Sequence, residues 1–410
     1  MKFRNAVIVD GVRSPFSWGG RGMFEATRLD EVAAKVVRVL MERNPRVKPT
    51  MIEDFGVGNA GNTSDLVLLG GISRLAGLPA ETTNFFSNRQ CGSSMETMQR
   101  IAMSIMVGAM DCGISLGAKI FEKSKLQRDM AEDHFNYFSV PIPDEVLDGP
   151  PLQPMVQTAQ NVVDMYDISR EELDAFTVRS HQKLTAAYAA GIYKDEVIPM
   201  EVEKPVFNDK KEWVPEEKGE MVLFDRDECI RPGCNMEDLG KMNPVKGIIS
   251  FCNKPLQITA GNSCPTNSGA SAVLVMAEDL AIKMGLTPLA RIVGMGVGGV
   301  KGQIMGMGPV PATIKAMKHA GITADQIDRV EFNEAFACQV VASLKELKIP
   351  EEKINVNGGS LGIGHPLGAT GARLVLTVAK ELRRSGKRYG LATQCIGAGE
   401  GISTIIEAMN

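Results

Sequence analysis

Two kinds of hydrophobic spacing alternate along the first 118 residues. Residues 5–9, NAVIV, make a short continuous apolar run that suits a buried strand. Residues 30–43, DEVAAKVVRVLMER, repeat apolar positions every three to four residues, which predicts a helix with Asp30 as its N-cap. Strand-like runs recur at 52–60, 82–88 and 111–118. Between them lie a glycine-rich helical stretch at 66–76 and a second, 92–107, whose Met and Ile residues follow two serines that can cap it. Strands alternating with helices predict an α/β domain with a largely parallel sheet.

The pattern breaks between residue 119 and about 256. Charge clusters and prolines (Pro141, Pro143, Pro150, Pro151, Pro154) replace strong strands, and one helix stands out at about 169–190, opened by the capping box Ser169-x-x-Glu172. The stretch keeps too many apolar residues for disorder, so it reads as an insertion folded over the main domain. From about 288 the alternation resumes, with LARIVGMG as a strand, PATIKAMKHAG as a helix closed by Gly321, DRVEFNEAFA, KINVNGG, a helix at about 368–385, and GLATQC.

The two ends of the chain repeat each other. A helix leads to IEDFGVGNA in the first half and to IDRVEFNEA in the second. The stretch from NFFSNRQCGSSM to CGISLGA runs strand, turn, helix, strand, and so does INVNGGSLGIGHPLGATGAR through GLATQC. This predicts two copies of one α/β unit, at 1–118 (completed by about 257–283) and at 284–410, with 119–256 as the insertion. Sites between such copies can draw on equivalent loops from each.

Composition narrows the function. The chain has 410 residues, 44% hydrophobic, with 45 Lys and Arg against 49 Asp and Glu, a net charge of −4. That balance argues against electrostatic binding of nucleic acid or an anionic membrane. The opening MKFRNAVIVDGVRSP has no signal-like apolar core, and eight cysteines without an export signal point to a reducing cytoplasm where thiols stay free. Cys229 and Cys234 are spaced C-x4-C, but no second pair completes a zinc site.

Four segments can carry chemistry. Cys91, in NRQCGSS, sits at a strand-to-helix turn where helix-start N–H groups favour a thiolate. His365 lies among glycines in GGSLGIGHPLG, where an imidazole can serve as a base. The same stretch matches G-x-S-x-G at 358–362, but a hydrolase triad needs a histidine well downstream of Ser360, and His365 is the last in the chain. Cys395, in QCIGAGEG, ends another strand; by the repeat it lies one strand later than the Cys91 position. Asn333, in NEAFA, alone reads as a cap. The match of residues 294–299 to G-x-G-x-x-G is set aside because glycines and prolines follow, so the chain is expected to stay a loop there.

Together NRQCGSSM, NEAFA, GGSLGIGHPLGATGAR and CIGAGEG, in this order, resemble the thiolase family, and the resemblance runs from VRSPF near the start to the final strand. CGSSM and ISREELDAFTVRSHQKLTAAYAAGIYKDEVIP are similar to the fatty-acid β-oxidation members. The resemblance implies a five-layered α/β/α/β/α fold, with two duplicated halves and a loop-domain insertion over the active site. It implies CoA-dependent cleavage of a 3-ketoacyl-CoA, with CoA as substrate, no bound cofactor and no metal. Cys91 would be the nucleophile and His365 its base; Cys395 would be the second acid/base, and Asn333 would position a water in one oxyanion hole. The N–H groups of Cys91 and Gly397 would form the other hole. Met155, Ser263, Cys264 and Gly364 would contact substrate or CoA. A homodimer or homotetramer is implied; a small accessory subunit, as in some unusual members, is left open.

The sequence departs from the family pattern in three places. LGAKIFEKS at 116–124 replaces a Gly-Gly-x-Glu-x-Met-Ser stretch. Pro154 stands where many members have a histidine before the methionine, here Met155. Cys264 stands where a serine touches pantetheine. These changes surround the acyl and pantetheine channel, which suggests retained chemistry with an unusual acyl pocket for an aromatic or dicarboxylic acyl group. Alternatives are biosynthetic condensation, a benzoylsuccinyl-CoA-like thiolase needing a partner, a ketosynthase, a non-catalytic acyl-CoA-binding subunit and an unrelated cysteine hydrolase. Cys395 argues against the ketosynthase, the intact Cys91, His365 and Cys395 against a non-catalytic subunit, and the paired half-motifs against the hydrolase.

Overall fold

The computed structural model describes residues 3–60, 66–119 and 153–409. Positions 120–124 of the LGAKIFEKS stretch, Pro141, Pro143, Pro150 and Pro151 lie outside the described residues. The first half contains β1 (Ala6–Arg13), β2 (Ser17–Trp18), α1 (Leu29–Arg43), β3 (Asp54–Asn59), α2 (Leu66–Leu75), β4 (Thr83–Ser87), α3 (Ser93–Met106) and β5 (Cys112–Lys119). Then come α4 (Met155–Tyr166), α5 (Arg170–Ala189), β6 (Met200–Glu203), β7 (Met221–Phe224) and α6 (Met236–Gly240). The chain continues with β8 (Asn267–Ala277), α7 (Glu278–Lys283), β9 (Ala290–Gly299), α8 (Pro309–Ala320), β10 (Arg329–Phe332), α9 (Ala337–Leu347), α10 (Ser360–Ile363), α11 (Thr370–Ser385), β11 (Tyr389–Ile396) and β12 (Glu400–Ala408).

The strand order β4-β3-β5-β8-β1 in one half is answered by β10-β11-β12-β9 in the other. In each, a parallel pair (β3 with β5, β10 with β11) is followed by antiparallel neighbours. Ile354 bridges Val330 in parallel, at the place beside β10 that β4 takes beside β3. The halves meet where β1 and β9 share the register pairs Val7 with Arg291 and Ile8 with Ala290. Helices α3 and α11 pack against each other and against strands of both halves, forming the middle layer. Helices α1 and α2 cover the outer face of the first sheet, and α8 covers that of the second, with α9 against it. The result is the five-layered α/β/α/β/α order, with separate apolar cores under α1, between α3 and α11, and under α8 and α9.

Each sheet is mixed where a largely parallel one was expected. The tight turn between β11 and β12 forces antiparallel pairing, and β8 re-enters antiparallel to both β1 and β5 after the insertion. Asp30 is not the N-cap of α1: the helix begins at Leu29, Arg28 caps it, and Asp30 sits in the first turn, where its carboxylate suits the helix dipole. Nor do the serines cap α3. Gly92 holds the N-cap position; the Ser93 hydroxyl donates to the Gln90 carbonyl and Ser94 accepts the N–H of Ala372 on α11. Residues 294–299 lie inside β9 instead of a loop, and Pro309 and Pro311 open α8, because proline is tolerated in a helix's first turn. The expected strand in KINVNGG shrinks to the single bridge at Ile354. Helix α4 was not anticipated, since its prolines read as breakers, although Pro154 is its N-cap.

The capping box of α5 is present, with Ser169 and Glu172 each accepting the other's backbone N–H. Helices α4 and α5 pack on α9, and α5 also packs on α10. A buried ion network ties this region to β1. Arg13 donates to Glu196 at 2.6 Å and to both oxygens of Asp227 at 2.7 and 2.8 Å, and Tyr188 donates to Asp227 at 2.7 Å. Among the described residues, no helix is long and apolar enough to cross a membrane.

Candidate active site

Edge strand β4 ends at Ser87, and a single 3-10 turn, Gln90–Gly92, carries Cys91 to the start of α3. Gln90 adopts a positive φ of 46°. The turn is pressed onto the other half: a Cβ on Gly92 would lie 2.7 Å from the Ile396 side chain and 3.0 Å from that of Ile402, so a larger residue would push these side chains aside. The Cys91 carbonyl accepts the Gln394 side-chain amide at 2.8 Å, and the Gly397 N–H points at the Cys91 sulfur. Burial pushes the Cys91 thiol up to about 11 despite these backbone donors, so the resting thiol is protonated.

His365 follows α10 in the glycine loop. Gly364, at φ 107°, brings the chain so close to Asn267 that a Cβ would lie 2.6 Å from its amide carbon. The Asn267 side chain accepts the His365 N–H at 2.9 Å. His365 Nδ1 lies 2.7 Å from the Thr370 hydroxyl, and Thr370 donates to the Pro366 carbonyl at 2.9 Å. A hydroxyl has one proton, so Nδ1 must be the donor in that pair, which leaves Nε2 as an unprotonated acceptor. Nε2 faces Asn333 Nδ2 at 3.3 Å. Burial, and then the charge of Arg373, pull His365 down to about 3, so the ring is neutral and able to receive a proton.

Asn333 lies just beyond β10, and its amide has a fixed sense. Ser360 donates to its Oδ1 at 2.7 Å and itself accepts Arg373 Nη2 at 2.8 Å, while Arg373 pairs with Glu331 at 2.6 Å. The N–H end of the amide therefore faces the imidazole. The neighbouring Glu334 is fully buried and accepts from Asn355, Ser180 and the Leu361 N–H at 2.6, 2.7 and 3.0 Å, so it holds α10 in place. Cys395 ends β11, fully buried, with its S–H donating to Gln339 Oε1 at 3.3 Å. Burial first, and then the nearby Cys91 thiol, raise Cys395 well above the ordinary thiol range.

Cys264 completes a group of three thiols. Burial and the proximity of Cys91 and Cys229 push it up. Its N–H bonds to the Ala335 carbonyl at 2.9 Å, so the 262–264 segment runs along NEAFA. Ser263 turns its hydroxyl back to the Thr259 carbonyl at 2.7 Å. Met155 opens α4 and is 39% exposed, and the described contacts do not link it to the thiols. Thr370, Gln339, Arg373 and Asn267 escaped the sequence reading, and Ser360 entered it only as a hydrolase nucleophile. Thr370 lies five residues after His365 and Gln339 six after Asn333, but spacing alone does not reveal which atom a side chain meets.

Two family models match, "Thiolase, N-terminal domain" over residues 6–279 and "Thiolase, C-terminal domain" over residues 286–408. The chain belongs to the thiolase family. It is 38% identical to a 3-ketoacyl-CoA thiolase of Alcanivorax borkumensis, across 98% of each chain. It is 36% identical to a beta-ketoadipyl-CoA thiolase of Pseudomonas putida, across 98% of this chain and 99% of that one. Its fold matches human mitochondrial 3-ketoacyl-CoA thiolase in complex with CoA with a TM-score of 0.82 and 31% identity, covering 99% and 98% of the two chains. This thiolase thus carries NRQCGSS and GGSLGIGHPLG on equivalent turns of its two halves, after β4 and after the Ile354 bridge.

Proposed function

We propose that this thiolase cleaves 3-ketoacyl-CoA esters with CoA, through an acyl thioester on Cys91, in the degradation of fatty, aromatic or dicarboxylic acids. His365 Nε2 takes the Cys91 proton, and the sulfur adds to the C3 carbonyl. The oxyanion so formed is held by the N–H groups of Cys91 and Gly397. Its collapse breaks the C2–C3 bond, and the electron pair moves into the thioester carbonyl as an enolate held by a water that Asn333 positions and by protonated His365. Cys395 then gives its proton to C2, and acetyl-CoA leaves. The resulting Cys395 thiolate takes the proton of an incoming CoA thiol, which attacks the Cys91 thioester. The released Cys91 thiolate recovers its proton from His365, so the cycle closes.

The observation behind this reading is the imidazole's hydrogen bonding. Its Nδ1–H is committed to Thr370, its Nε2 is unprotonated and accepts from the Asn333 amide, and the ring is neutral. CoA is a substrate, and no bound cofactor or metal enters these steps. Cys264, Ser263, Gly364 and Met155 contact the pantetheine and acyl portions, and Cys264 in place of a serine goes with a bulkier or dicarboxylic acyl group. The chain divides into halves at 1–118 with 257–283 and at 284–410, with 119–256 covering the site. It works as a homo-oligomer, for which the edge strand β4, paired on one side with β3, is a ready contact. Eight free thiols suit a cytoplasmic location.

The test is CoA-dependent cleavage of a panel of 3-ketoacyl-CoAs with products identified, and a mass shift on the Cys91 peptide in the absence of free CoA. Cys91→Ala is expected to lower turnover by at least about a thousandfold. Full turnover in that variant would overturn the assignment, and a preference for straight chains over bulky or dicarboxylic ones would overturn the pocket reading.

A further inference from the structure

Gln339 stands on the first turn of α9 and is fully buried, between the two residues whose chemistry differs most: the oxyanion-binding Asn333 and the acid Cys395. Its Nε2 donates to the Asn333 backbone carbonyl at 2.7 Å. That carbonyl can only accept, so the amide cannot turn over, and the Oε1 end must face Cys395, 3.3 Å away. An amide oxygen also only accepts. The Cys395 proton is therefore held on a fixed acceptor, in one direction, before any substrate arrives.

We propose that Gln339 is a positioning residue for carbon protonation: it holds Cys395 protonated and its sulfur in place until that proton is delivered to C2 of the departing enolate. The inference rests on the acid/base role given to Cys395 above. Three features support it. Both partners of Gln339 are buried, so water cannot replace the lost acceptor. The hold is a single long sulfur contact, so it orients the proton without trapping it. Finally, one side chain joins the backbone of the oxyanion residue to the acid, so enolate oxygen and protonated carbon are placed relative to each other by one rigid amide.

The role belongs to the carbon-acid step and not to Cys91, which predicts a split. In Gln339→Met, a side chain of similar length without the acceptor, exchange of deuterium from solvent into the methyl group of acetyl-CoA should fall at least about tenfold. Alkylation of Cys91 by iodoacetamide, followed on its peptide, should stay within about twofold. Gln339→Glu, whose protonated carboxyl can donate to the Asn333 carbonyl and accept from Cys395, should restore exchange to within about threefold of the parent. A merely structural Gln339 would slow exchange and alkylation together, or would leave Gln339→Glu as impaired as Gln339→Met, and either result overturns the proposal. So does unchanged exchange in Gln339→Met. Cys395→Ala run alongside separates the two levels. If it keeps full exchange, the acid assignment itself fails. If it abolishes exchange while Gln339→Met does not alter it, only the Gln339 role fails.

Discussion

A neutral histidine and a neutral cysteine set the behaviour of this site before substrate binds. With Cys91 raised to about 11 and His365 lowered to about 3, the proton stays on sulfur across the physiological range, in contrast to a thiolate–imidazolium pair. The thiolate fraction at pH 8 is then about one in a thousand. The Cys91 alkylation rate in the free enzyme should accordingly rise about tenfold per pH unit from pH 7 to 10. A plateau below pH 8, read from iodoacetamide kinetics, would mean an ion pair and would contradict this picture. Cys91 and His365 could be picked out of the sequence because each sits in an unusual glycine context. Ser360 was weighed there only as a nucleophile, yet its hydroxyl spans Asn333 and Arg373, a role visible only once β10, α10 and α11 converge.

Among the elements, α5 illustrates what local chemistry can and cannot specify. Its start is legible because a capping box uses residues three apart. Its destination is not, because Tyr188 near its end bonds Asp227, 39 positions on and beyond β7, and Asp227 in turn pairs with Arg13 on β1, 214 positions away. Arg13 is fully buried with two carboxylates, Glu196 and Asp227, that have no solvent to fall back on. Arg13→Leu should therefore destabilise the fold by roughly 3 to 5 kcal/mol, measured by urea unfolding. A loss under about 1 kcal/mol would show that the network does not tie the insertion to β1. The error at Ser94 is of the same kind, since Ala372 on α11 claims its hydroxyl, whereas Asp30 and Ser93 turn to local partners, Arg28 and Gln90.

For the whole molecule, two buried neutral histidines govern acid stability in the same direction. His365 is lowered to about 3, and His181, by burial and then the charge of Arg231, to about 4. Above the unfolded value of about 6.5 both states are neutral and pH has no effect through these groups. Below it the unfolded chain takes up protons that the fold refuses, so each histidine removes roughly 1.4 kcal/mol of stability per pH unit until its folded value is reached. Glu331, whose carboxyl burial raises to about 8, acts in the opposite direction, so the clear readout is the difference: His181→Gln should lose less stability between pH 6 and pH 4 than the parent, read from urea midpoints. An unchanged slope in the variant would mean that His181 is not held neutral. His181 itself packs against Gly362, so the same residue joins α5 to the glycine loop that carries His365.

The sequence by itself determined the repeat, the α/β class and the family, and singled out four segments for chemistry, because these depend on short-range spacing: period two or 3.6, glycines at turns, reactive side chains at strand ends. Tertiary structure alone decided the rest. It set the antiparallel members of each sheet, the tautomer of His365 through Thr370, the sense of the Asn333 amide through Ser360, and the acceptor facing Cys395. Each of these is a direction in space, fixed by one hydrogen bond between residues far apart or differently oriented. Residue order specifies which groups are present, and only packing specifies which end of each one faces the substrate.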